Sequence, residues 1–370
     1  VHPRIFRLAA MSLTTVALAL GTSITPAAAQ PADGGQSAAW SPGPDTVSAI
    51  TDRLARQLAS PLADDVRQNL FTAAVDRPVH LATVDANTAL ERTVQRADSA
   101  AAAAKGLPAD ATSLIQIRLA HPDMRAAFAR GEAALIAAAP TDDAVTAVTA
   151  YGRNGAKVLL DATRVPQRPV FVVEVDGEKA VALGMKVMRA TLDARGIFSA
   201  RSGVTAQGGY WANKVNAIRL NDDKEPWVKG GAEIFGIAGG FGFDSKVRVD
   251  TITMPYLDHD GTTYYPNQVI VHYGFYKYNF ADYVMYEDDG DTNYRNLALA
   301  IANALLYIVD GGAYTPLVNA IINAMPDSWW TDDPDYTDSW YTLATTTSGR
   351  RYGAAGNGWM DIVPYWIEQF

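Results

Sequence analysis

The sequence predicts an α+β protein: a mainly helical N-terminal region holding a small β element, then an antiparallel β-sandwich with a helical insertion. Three observations carry this. Apolar residues recur at three- and four-residue spacing over residues 45–138, and from residue 144 the dominant period drops to two. The composition changes with it. Of 8 tryptophans, Trp40 alone precedes residue 200, so the first half is alanine-rich and aromatic-poor while the second is rich in the rings that suit pleated sheets.

Each element has its own signal. Val47, Ile50, Leu54 and Leu58 lie on one helical face behind Asp45 as a candidate N-cap. Ser60-Pro61 starts a second helix carrying Val66, Leu70 and Ala74, since proline suits the first turn. Leu90, Val94, Ala97 and Ala101 mark a third, and residues 124–138 a fourth. Residues 144–151 and 156–160 flank Gly152-Arg153-Asn154-Gly155 as a hairpin, and residues 169–175 form a further strand. Residues 179–194 return to the helical period, and residues 196–213, with several glycines, read as a linker.

Beyond it the signals are short strands at 215–220, 232–238, 246–254, 268–273 and 281–286, helices at 294–309 and 315–324, and strands at 340–346 and 359–367. The glycine-rich run Gly236 to Gly242 lacks dinucleotide-binding spacing and reads as a strand-end turn. The expected organisation is a helical α+β domain over 45–195, a linker over 196–213 and a sandwich over 214–370 with its insertion at 294–324.

Residues 1–29 read as an export signal, with Arg4 and Arg7 before an apolar run and Ala27-Ala28-Ala29 before Gln30. A flexible segment over 30–44 follows. The expected location is therefore extracellular. Later apolar runs, such as residues 297–309, are too short for a membrane span, so an integral membrane protein is not expected. With Cys 0, neither disulfides nor thiolate chemistry contribute.

Charge is uneven. Of Lys+Arg 31 and Asp+Glu 40, residues 200–370 hold 11 basic and 21 acidic side chains, a balance of −10. A nucleic-acid partner needs a basic face and is not expected. A cation suits the second half better.

Three acidic loops follow expected strands: Asp222-Asp223, Asp258-His259-Asp260 and Glu287-Asp288-Asp289-Gly290-Asp291. Crowded carboxylates repel unless a cation neutralises them, and calcium accepts carboxylates from separate loops. Asp222, Asp223, Asp258, Asp260, Glu287, Asp288, Asp289 and Asp291 are therefore the candidate Ca2+ ligands, with ordinary solvated turns as the alternative reading. No loop follows the EF-hand spacing. A fourth acidic stretch, Asp332, Asp333 and Asp335 with Asp338, flanked by Trp329, Trp330, Tyr336 and Trp340, is a candidate sugar cleft. No nucleophile-elbow, zincin or phosphate-loop motif is present.

The run Met254-Pro255-Tyr256-Leu257-Asp258, then Tyr264-Tyr265-Pro266-Asn267-Gln268 and Tyr286-Glu287-Asp288-Asp289, resembles the secreted bacterial family called domain of unknown function 3103. That resemblance implies secretion and the association of the two halves, but no activity. The loop before Pro226-Trp227 and the strand ending in Glu287-Asp288-Asp289 are similar to the calcium loops of C2-type sandwiches, with Glu225-Pro226-Trp227 where D-P-Y is usual. The leading expectation is a secreted, non-enzymatic protein whose sandwich binds calcium for stability or for docking to a surface, glycan or protein partner. The alternatives are a carboxylate-dependent, glycosidase-like hydrolase using Asp258, Asp260, Asp288 or Asp335, and an inhibitor or chaperone-like pro-region protein.

Overall fold

The computed structural model describes residues 46–60, 64–84, 88–141, 145–198, 208–222, 227–288, 290–324 and 336–368. The export signal, the 30–44 segment, Asp223, Asp289 and the stretch with Asp332, Asp333 and Asp335 lie outside them.

The first half alternates helix and strand: α1 (Val47–Leu58), α2 (Asp64–Ala74), β1 (Val79–His80), α3 (Thr88–Ala104), β2 (Ile115–Leu119), α4 (Arg125–Ala129), β3 (Leu135–Ala138), β4 (Ala147–Tyr151), β5 (Lys157–Asp161), β6 (Val170–Val175) and α5 (Gly177–Ala194). α1 is capped by Thr46, whose hydroxyl accepts from the Ala49 N–H, so the cap lies one residue later than expected. Asp98 of α3 accepts N–H bonds from Ser113, Leu114 and Ile115, which fixes where the chain turns into β2. The helix expected over 124–138 is corrected: α4 ends at Ala129, Gly131 adopts a left-handed φ of 79°, and residues 135–138 are strand. Backbone pairing with β6 and β4 prevails over alanine's helical preference there.

These strands form one sheet in the order β1-β2-β6-β3-β4-β5, antiparallel except between β3 and β6. Helices α1, α2 and α3 cover it through a core that includes Leu54, Leu58, Phe71, Val94, Ile117, Ile136 and Val172. Phe71 stacks on Phe171 with centroids 4.1 Å apart, a pairing that contributes about 0.5–1.5 kcal/mol beyond the area it buries.

The second half holds β7 (Tyr210–Leu220), β8 (Ile234–Phe241), β9 (Val247–Thr253), β10 (Gln268–His272), β11 (Phe280–Glu287), α6 (Tyr294–Leu305), α7 (Val318–Ile322), β12 (Tyr336–Ala344), β13 (Gly349–Tyr352) and β14 (Gly358–Ile367). From Tyr210 onward the stretch read as linker is strand, paired to β14 along its length. Two four-stranded antiparallel sheets result, in the orders β12-β11-β8-β9 and β10-β7-β14-β13. They enclose one core that includes Ile218, Ile234, Ile252, Tyr283, Met285, Met360 and Ile362.

The opposite face of the first of these sheets is also covered. Phe235, Ile237, Val249, Val284 and Tyr286 alternate with the sandwich-core residues and pack under α5, α6 and α7. Both faces of β8 are therefore apolar, and every residue of that strand is buried. Gly236 lies within β8, paired with Met285, rather than in a turn, and it must be glycine because a Cβ there would meet the Tyr283 ring at 2.1 Å. The helix-covered core also takes in Ala102, Leu107 and Leu114, so residues of the first half share it with the sandwich. The chain is thus α+β, with an antiparallel sandwich and helices inserted at 294–322.

Candidate functional site

The acidic loops gather at the end of the sandwich that meets the first half. Gly261 N–H donates to the Leu220 carbonyl, which sets the Asp258–Asp260 loop beside Asp222. The Asn357 side chain holds the Asp222 backbone from the other side, accepting its N–H and donating to its carbonyl. Asp288 N–H donates to the Glu233 carbonyl, which brings in the third loop. Among the described residues, no three of His, Cys, Asp and Glu come together as a metal centre.

The carboxylates of the third loop hold the first half of the chain. Lys105, at the end of α3, donates to Asp288 and to the Gly290 carbonyl, and both charged side chains are 1% exposed. The Tyr294 hydroxyl donates to the same carboxylate, and burial, then Asp288, drives its pKa far above the ordinary phenol value. Asp291 accepts the Val47 N–H at 3.1 Å, where a helix start favours negative charge. Glu287 is buried beside Asp288. Arg118 of β2 reinforces this seam, binding Glu174 at 2.8 Å and the Val228 carbonyl at 3.0 Å.

Two hollows open here. A cavity of about 60 Å³ is lined by Lys105, Lys229, Glu174, Glu233 and Asp288, enough for water only. Beside it, a cleft of about 310 Å³ between α5 and the loops is lined by Glu178, Glu233 and Asp258. Asp258 accepts from the Tyr264 hydroxyl at 2.7 Å; burial, followed by that bond, raises the tyrosine to about 12. Asp222 and Asp260 are exposed. Glu178 and Glu233 were absent from the expected set because neither stands in an acidic run; folding alone brings them to Asp258.

The outer face of the sheet β10-β7-β14-β13 is a second feature. Met360 and Ile362 point into the sandwich core, so Trp359, Asp361, Val363 and Tyr365 point out. Arg350 stacks over Trp359 at 3.5 Å and binds Asp361, while Lys214 lies 4.8 Å over Tyr365. The signal was the period-two pattern of residues 359–365, read earlier as strand without regard to its outward face.

A helix-covered antiparallel sandwich, joined to a smaller α/β layer through a buried ionic seam, is the class of protein that fold and site define. Residues 47–370 match the family described as "Protein of unknown function (DUF3103)", and the chain belongs to that family. No curated protein and no solved structure matches, so the C2-type likeness rests on loop residues alone.

Proposed function

We propose that this chain is an exported, non-catalytic binding protein whose acidic sandwich end takes calcium, for stability and for docking to an extracellular surface or partner. The observation that supports it is the convergence of the three acidic loops at one end, with Glu178, Glu233 and Asp258 lining one cleft. The export pattern of residues 1–29 supports the location. Asp288 and Asp291 are engaged within the protein, so among the described residues Asp222, Asp258 and Asp260 remain the candidates, and the ion would have to draw them together.

Calcium sites of extracellular modules have Kd values of roughly 10⁻⁴–10⁻³ M. At about 10 mM calcium, linkage then contributes about 1.4–2.7 kcal/mol. The full chain is expected to melt several degrees higher with calcium, with magnesium giving much less because it holds its waters and demands a tighter octahedron. Asp258→Asn with Asp260→Asn is expected to abolish the shift. Equal small shifts from both ions, or none, would sink the calcium reading.

A further inference from the structure

We infer that the outer face of the sheet β10-β7-β14-β13 binds an extended acidic polysaccharide, a polyuronate being the simplest example. This face is distinct from the acidic end, and the inference does not depend on calcium.

Three observations carry it. The first is ring exposure. Tyr352 stands opposite Trp359 in the β13–β14 pairing and is 72% exposed, and Tyr365 on the same face is 42% exposed. Flat, rigid rings on a strand scaffold offer stacking surface with little entropy to lose.

The second is spacing. Tyr352, which pairs with Trp359, and Tyr365 lie six residues apart along the sheet, about 20 Å at about 3.3 Å per residue. A compact ligand would meet one ring; only an extended one spans both. Strand β14 is paired to β7 along its whole length and to β13 from Trp359 to Ile362, so the sheet holds this track extended.

The third is charge. Between and beside the rings stand Lys214 and Arg350, with Arg219 against Gly261 where the face meets the acidic end, and Asp361 is the carboxylate that these strands turn outward among the described residues. That positive balance sits in a half of the chain whose overall balance is strongly negative. A neutral glycan would make no use of it. Sugar carboxylates spaced along a chain match both the cations and the rings. Arg350 lies flat over Trp359 and binds Asp361, so its guanidinium is held on this face where a sugar carboxylate would meet it.

The test is affinity electrophoresis of the full chain through gels containing polygalacturonate or, separately, a neutral glucan, in chelator throughout. Retardation by polygalacturonate alone is expected. It should weaken with added salt and fall about tenfold or more in Tyr365→Ala and in Lys214→Gln with Arg350→Gln. Tyr352→Ala, at a largely solvated ring, gives a second variant whose folding is undisturbed and whose retardation should also drop. Near-UV circular dichroism confirms that each variant is folded. No retardation, retardation unchanged by these substitutions, or equal retardation by the neutral glucan overturns the proposal. So does retardation that returns only when calcium replaces chelator, since that would place the contact at the acidic end.

Discussion

Lys105 and Asp288 show how a single charged pair can decide stability at this seam. Each is buried, and each has the other as its counter-charge. Lys105→Met would leave Asp288 buried without its cation, and breaking such a pair from one side costs about 3–5 kcal/mol. The expected result is a much lower denaturant midpoint, with part of the loss recovered when Asp288→Asn is added, because both charges are then gone. A second residue sets acid sensitivity. Lys277, then Tyr278, holds the Asp310 carboxyl down at about 2 through hydrogen bonds. An acid whose folded pKa is depressed stabilises the fold above its unfolded pKa of about 3.9, and that contribution disappears as pH falls towards about 2. Wild type should therefore melt above Asp310→Asn by a constant margin from about pH 5 to pH 8, and the margin should close between about pH 4 and pH 2. Melting curves across that series check it.

At the scale of elements, the packing of α5 on α6 depends on an absent side chain. A Cβ on Gly184 would lie 2.4 Å from the buried Tyr294 ring. Alanine is the better helix former by about 1 kcal/mol, yet overpacking of this kind costs about 1–3 kcal/mol. Gly184→Ala is expected to lower the melting temperature despite its propensity gain, and a rise would show that the two helices can part without cost. The same element scale shows what could be read beforehand. α1, α3 and α5 follow their apolar spacing closely, as does the β4–β5 hairpin around Gly152 and Gly155. β2 was missed because five alternating residues, Ile115 to Leu119, give too short a period to stand out. β8 was cut short because its glycines look like a turn until the rings of Tyr283 and Tyr276 that fill their space are known. The candidate site divides in the same way. Local acidity marked Asp258 and Asp288, but the partners Lys105, Glu178 and Glu233 come from distant parts of the chain and carry no local mark.

For the whole molecule, the shared core is the governing fact. Ala102, Leu107 and Leu114 pack with Phe235, Val284 and Leu297, so separating the halves would expose a wide apolar face on each. Tryptophan fluorescence reports almost entirely on the second half, whereas far-ultraviolet circular dichroism weighs the helices of the first. The two signals are expected to change at the same denaturant concentration. An earlier transition in either would mean that the seam is weaker than its burial implies.

The position of β14 bears on assembly as well as on binding. It is the last strand in chain order, yet it lies between β13 and β7, and its partner β7 starts at Tyr210. During synthesis β7 must therefore wait, its edge towards β14 open, until some hundred and fifty later residues have followed. Closing so long a loop before any contact rewards it is slow.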